Sequence, residues 1–223
     1  MNRRKFLLAT IATSLSSALW AAPEIGTFSG QGDVLDDKEL IRQFKPYVAI
    51  GNFKDDAHRV FMFISFDCPY CASTWVGFGQ WAVSLPKPYK FVYVPIFGSK
   101  AQNVAGTAFY VVRELTPQRT PEFMRQAFAL QQMSTSKAEQ YIDILHKMGF
   151  SRQQVADAVN KEITQNRIAR AITLYERYKV SVTPSFGVAG KYYTHTGFTR
   201  QGTYKEVGTN LSWLITNEIE KTS

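Results

Sequence analysis

The period of the hydrophobic positions changes twice along the chain, and each change marks a different kind of element. Tyr47-Val48-Ala49-Ile50 is a short apolar run that reads as a strand. Asn52 to His58 is polar, carries Lys54, Asp55 and Asp56, and reads as a turn. Val60 to Phe66 has almost no polar position, the pattern of a strand covered on both faces. After Pro69, residues Cys71, Trp75, Phe78 and Ala82 recur at helical spacing to about Leu85, where Pro86 and Pro88 end the helix. Pro69 suits its first turn, where a missing N–H costs nothing. Phe91 to Phe97 reads as a second buried strand, so the succession predicts a βαβ unit.

Residues 100–179 lose all strand character. Helical patterns run over about 101–116, 120–132, 136–148, 151–160 and 162–179. Thr120-Pro121-Glu122 and Ser151-Arg152-Gln153 read as N-cap starts, and Gly149 as a C-cap. The turns between them are short, so the stretch is a compact helical insertion rather than a linker. Strand pattern returns over Val182 to Tyr193, with a tight turn at Ala189-Gly190. Val207, Leu211, Leu214, Ile215 and Ile219 then share one face of a helix over about 203–220.

The N-terminus adds a compartment to this picture. Arg3-Arg4-Lys5, an apolar stretch from Leu7 to Trp20 and a small-residue exit at Ala21-Ala22 form the pattern of an export signal. Thr10, Thr13, Ser14, Ser16 and Ser17 dilute the apolar stretch, and a membrane-spanning helix needs about 20 predominantly apolar residues. Residues 1–21 are therefore expected to be removed, with the cut after Ala21. Asn2-Arg3-Arg4-Lys5-Phe6-Leu7 also has features of a twin-arginine signal, although Asn2 stands where Ser or Thr is usual. Either route leads to the bacterial periplasm, where disulfides form and persist.

The full chain carries a charge of +8, and loss of residues 1–21 leaves 23 basic and 18 acidic residues, or +5. A charge of that size serves solubility. No basic block with interleaved aromatics is present, so nucleic acid is not an expected partner. The expected organisation is a leader at 22–45, a discontinuous domain at 46–99 and 180–220, and the helical insertion at 100–179.

The only two cysteines are Cys68 and Cys71, in Cys68-Pro69-Tyr70-Cys71, directly after the first buried strand. The spacing is the redox one. A strand-to-helix turn places Cys68 at a helix N-terminus, where unpaired N–H groups and the dipole stabilise a thiolate. The thiolate is the nucleophile. Cys71, one turn in, is expected to be more buried and to resolve the mixed disulfide. A static staple closing so small a loop would constrain little of the unfolded chain. Zinc would need two further ligands, and His58, His146 and His195 have no ligand-like spacing. No metal or cofactor is expected. His58 reads as solvated, His146 as a cation at a helix C-terminus, and His195 as a residue near the edge of the site.

Phe66-Asp67-Cys68-Pro69-Tyr70-Cys71, the helical insertion, Val182-Thr183-Pro184 and Val188-Ala189-Gly190-Lys191-Tyr192 together resemble a thioredoxin-fold protein of the DsbA type. The resemblance covers roughly residues 45–220. It implies an α/β, thioredoxin-like fold with an inserted all-helical subdomain. It also implies that Pro184 is cis, faces the dithiol, and belongs with Thr183 to a loop whose backbone holds a substrate peptide.

Three positions depart from that pattern. Met62 stands where the family often buries an acid near the second cysteine. Asp67 is acidic but adjacent to Cys68, where a carboxylate disfavours a thiolate unless it points to solvent. The dipeptide is Pro69-Tyr70 rather than Pro-His, which implies a weaker acid at Cys68 and a less oxidising pair than the strongest oxidants of the family. Thr183 replaces the usual Val and is commoner in isomerase relatives.

The resemblance implies a monomeric dithiol oxidase acting on cysteines of exported proteins and recharged by a quinone-linked membrane partner. A reductase or isomerase of the same fold is the alternative, although 22–45 is too short for the separate dimerisation domain of known isomerases. A redox-inert chaperone or binder would use Phe66, Tyr70, Trp75 and Trp81 as an aromatic surface.

Overall fold

The structure, a computed structural model, describes residues 45–131 and 137–222. The expected export signal at 1–21 and residues 22–44 of the leader lie outside the described residues. Five strands form one sheet: β1 (Val48–Ala49), β2 (Arg59–Ile64), β3 (Lys90–Pro95), β4 (Ser185–Val188) and β5 (Tyr192–Thr194), in the order β1-β5-β4-β2-β3. β2 and β3 are parallel, joined by helix α1 (Pro69–Trp81), which is the expected βαβ unit. β4 lies antiparallel to β2 and to β5, and β1 antiparallel to β5.

Among the described residues, five helices fill the stretch between β3 and β4: α2 (Lys100–Leu115), α3 (Thr120–Gln131), α4 (Ala138–Lys147), α5 (Arg152–Asn160) and α6 (Glu162–Arg177). Helix α7 (Tyr204–Thr222) closes the chain. Ser151 caps α5 as expected, accepting from Gln154 N at 3.2 Å while Gln154 Oε1 accepts from Ser151 N at 2.8 Å. Gly149 ends α4 with φ +90°, a conformation that suits glycine. Thr120 departs from the expected cap: its hydroxyl donates to Pro117 O at 2.7 Å across a 3-10 turn.

Strand β2, between β4 and β3, is buried on both faces, as its apolar run predicts. On one face Phe186, paired with Met62, meets Phe78 of α1 with ring centroids 4.4 Å apart. On the other, Phe61 and Phe63 pack against Tyr178 at the end of α6, at 5.7 and 5.4 Å. Tyr178 lies so close to β4 that a Cβ on Gly187 would fall 2.3 Å from its ring. The β4–β5 turn uses Ala189 (φ 53°) and Gly190 (φ 68°), the left-handed pair of a tight hairpin.

β2 ends at Ile64, two residues short of the expected boundary. Ser65, Phe66 and Asp67 turn instead, closed by Cys68 N donating to Ser65 O at 3.1 Å. Phe66 leaves the sheet because the helices between β3 and β4 capture its ring. It lies 6.3 Å from Phe109, 5.7 Å from Phe123, 5.0 Å from Phe128 and 6.2 Å from Tyr141. Full burial of a phenylalanine contributes about 2 kcal/mol, and ring pairs of this kind add to it. On the other side of the cysteines, Trp75 stacks on Phe128 at 6.0 Å. The insertion thus grips the dithiol turn from both directions.

Candidate active site

Cys68 is the N-cap of α1, with extended backbone (φ −92°, ψ 117°) and Pro69 in the first turn. Its sulfur accepts the Cys71 N–H at 3.4 Å, and its thiol donates to Thr183 O at 3.1 Å. Both cysteines are free thiols. Cys68 is half-buried, whereas Cys71 is fully buried one turn into the helix.

That difference in environment separates the two acids. The Cys68 pKa is lowered to about 6, chiefly by a hydrogen bond from the Cys71 thiol. Burial opposes the shift, and the Thr183 side chain and the backbone N–H groups of Cys71 and Tyr70 add to it. The Cys71 thiol is pushed strongly upward, first by burial, then by the hydrogen bond it gives to Cys68 and by the Cys68 charge. The site therefore pairs a more acidic thiol at its surface with a much less acidic one beneath it. A surface thiolate can attack a disulfide, and a neighbouring thiol can then resolve the product.

The Thr183–Pro184 peptide bond is cis. Thr183 lies against Cys68 from a position 115 residues away, and Pro184 is buried at the head of β4. Pro69 and Tyr70 are exposed, Tyr70 to 63 %. Of the four aromatics expected as a possible surface, Phe66 is buried, Trp75 and Trp81 are half-buried, and only Tyr70 is open.

Met62 is fully buried on the α1 face of the sheet, so an apolar side chain occupies that position beneath the helix. Asp67 does not simply point to solvent: its Oδ1 accepts the Tyr141 hydroxyl of α4 at 3.2 Å. His58 is exposed and edge-on to Tyr89, and His146 Nδ1 meets Phe150 O at 2.9 Å. His195 follows β5 at the end where Thr194 pairs with Phe186, the same end as Pro184. Its Nδ1 accepts from Gly197 N at 3.0 Å, and burial lowers its pKa.

One neighbour of the dithiol has no signal in the sequence. Tyr204, the first residue of α7, meets Phe78 of α1 edge-on at 6.3 Å. Its pKa is pushed up to about 12, first by burial and then by the charges of Cys68 and Cys71. The amphipathic pattern of α7 marks its apolar face but not which end of the sheet that face reaches.

A strand-to-helix dithiol facing a cis-proline loop on a mixed sheet is the architecture of one family, and the chain belongs to it. The thioredoxin family model matches residues 45–206. Among solved structures, DsbA from Pseudomonas aeruginosa is similar with a TM-score of 0.68 and 21 % identity, over 79 % of this chain and 94 % of that one. DsbA from Xylella fastidiosa follows with a TM-score of 0.66 and 16 % identity, over 78 % of this chain and 96 % of that one. The oxidoreductase NmDsbA1 from N. meningitidis has a TM-score of 0.63 and 18 % identity, over 79 % of this chain and 93 % of that one. These likenesses are of fold: thioredoxin-like, with an all-helical insertion. No curated protein matches the chain.

Proposed function

We propose that the chain is a thiol–disulfide oxidoreductase that exchanges a Cys68–Cys71 disulfide with cysteines of exported proteins, acting as a disulfide-forming oxidase. The observation that carries this reading is the asymmetry of the pair: a half-buried Cys68 with a pKa lowered to about 6 above a buried Cys71 whose thiol is pushed upward. A substrate thiolate attacks the Cys68 sulfur of the oxidised pair. The Cys68–Cys71 bond breaks and Cys71 leaves, taking a proton. A second substrate thiolate then attacks the substrate sulfur of the mixed disulfide and expels Cys68 as a thiolate. The substrate gains a disulfide and the pair gains two electrons. A stabilised Cys68 thiolate favours the reduced pair and so drives the exchange in this direction.

In this reading Pro69 and Tyr70 form the exposed lip of the site, and the loop of Thr183 and Pro184 receives the substrate backbone. Residues 46–99 and 180–220 form the exchange domain, and 100–179 the helical insertion. The protein works as a periplasmic monomer, and a quinone-linked membrane partner reoxidises it. Among the described residues no helix is long and apolar enough to cross a membrane.

Two substitutions test the assignment. Cys68→Ser abolishes exchange, while Cys71→Ala, expressed in cells, accumulates mixed disulfides through Cys68 with exported proteins on non-reducing gels. Adducts formed through Cys71 in the Cys68→Ser protein would reverse the roles. Absence of adducts in both would sink the exchange reading.

A further inference from the structure

The two residues before Cys68 both belong to the packing of the helical insertion. Phe66 lies among the rings of Phe109, Phe123, Phe128 and Tyr141, which come from α2, α3 and α4. Asp67, the next residue, accepts the Tyr141 hydroxyl at 3.2 Å. Tyr141 is fully buried. One side chain of the insertion, Tyr141, thus belongs to the ring cluster around Phe66 and binds the carboxylate adjacent to Cys68.

A carboxylate beside a thiolate opposes its formation, and the opposition depends on separation and on how far other groups neutralise the carboxylate. A hydroxyl donated to Asp67 stabilises its charge where it lies and holds it on the α4 side of the turn. We propose that Tyr141 is a positioning residue for the dithiol: its hydroxyl restrains the Asp67 carboxylate and thereby couples the helical insertion to the reactivity of Cys68. The proposal rests on the reading of Cys68 as the sulfur that exchanges with substrate.

Two other titratable groups act at the same sulfur: Cys71 from α1, where the Tyr70 backbone N–H also faces it, and Tyr204 from α7. None of these belongs to the insertion. On the two helices that flank the turn, Lys100 of α2 and Glu139 of α4 pair with each other at 3.8 Å and are exposed. Gln102 of α2 reaches Ser65 Oγ at 3.5 Å without charge. Among these contacts, the Tyr141–Asp67 bond is the one that ties the insertion to a charge adjacent to Cys68.

The test is thiolate absorbance of the reduced full-length protein as a function of pH, with the alkylation rate of Cys68 as a second readout. Tyr141→Phe keeps the ring and removes the hydroxyl. It is expected to raise the midpoint of thiolate formation by about half a pH unit, because without the donated hydroxyl the Asp67 charge is less neutralised beside the sulfur. Asp67→Asn is expected to lower the midpoint by a similar amount. In the Asp67→Asn background, Tyr141→Phe should then have no further effect.

Equal midpoints for the unsubstituted and Tyr141→Phe proteins would overturn the proposal. So would a Tyr141→Phe effect that persists without the Asp67 charge, since the coupling would then run through packing alone. If Tyr141→Phe does not fold, Asp67→Asn decides: an unmoved midpoint removes the charge on which the coupling depends. If the unsubstituted protein forms no thiolate near pH 6, the functional reading fails first and the proposal falls with it.

Discussion

The properties of Cys68 arise from a few contacts within one turn and one loop. As N-cap it receives the Cys71 N–H, and the buried Cys71 thiol donates to it. The resulting acid makes a direct prediction. Alkylation of reduced Cys68 by iodoacetamide should follow a single titration with a midpoint near pH 6, and a midpoint near 9.0 would show an ordinary thiol. The same shift has a stability consequence of definite sign. The folded thiol is a stronger acid than the unfolded one, so its charge stabilises the reduced fold fully above pH 9.0, and that contribution is lost as the pH falls to about 6. Cys71 acts oppositely: its raised pKa contributes below 9.0 and loses that contribution at higher pH. The urea midpoint of the reduced protein, relative to that of Cys68→Ala, should therefore fall as the pH is lowered through this interval.

Much of the residue-scale site is legible in the sequence because its chemistry is local. Cys68, Pro69, Tyr70 and Cys71 are consecutive, and the apolar run before them announces the strand that presents them. Thr183 and Pro184 become meaningful only through a family resemblance, since the contact with Cys68 spans 115 residues. Tyr204 and Tyr141 are not legible at all. Each is an aromatic residue on a helix, and no spacing says that one reaches the sulfurs and the other the neighbouring carboxylate.

At the scale of elements, the helices follow their periodicity closely, since an amphipathic face and a cap are written within each segment. The boundary of β2 does not. Phe66 continues the apolar run, but its ring is taken up by helices that lie 43 to 75 residues further along the chain. Packing from a distance overrides the local pattern there. The sheet has its own tight point at Gly187, where Tyr178 leaves no room for a Cβ. Gly187→Ala should destabilise the protein by about 2 kcal/mol, because the Tyr178 ring must move away from Phe61 and Phe63. Urea denaturation measures this, and a change below about 0.5 kcal/mol would show that the ring gives way freely.

Across the whole molecule, the two ends of β2 do different work. The dithiol follows its C-terminal end. Before its N-terminal end lies Asp56, fully buried and bound by Arg170 at 2.5 Å and Arg177 at 2.8 Å from helix α6. Asp56 reads only as part of a polar turn in the sequence, because its partners lie 114 and 121 residues away. Removing one member of such a pair strands a buried charge, so this end is a structural tie between the sheet and the insertion. The tie and the aromatic cluster around Phe66 hold the insertion to the sheet at two places and leave Tyr70 exposed beside the half-buried Thr183, where the proposed exchange would take place.

The central claim is that this site donates disulfides. Its most direct test is the reduction potential of the Cys68–Cys71 pair, measured by equilibration with glutathione buffers and alkylation of the thiols. The lowered pKa of Cys68 predicts a pair more oxidising than a cytosolic thioredoxin. A potential as reducing as that of thioredoxin, or lower, would contradict the account and make the protein a reductase.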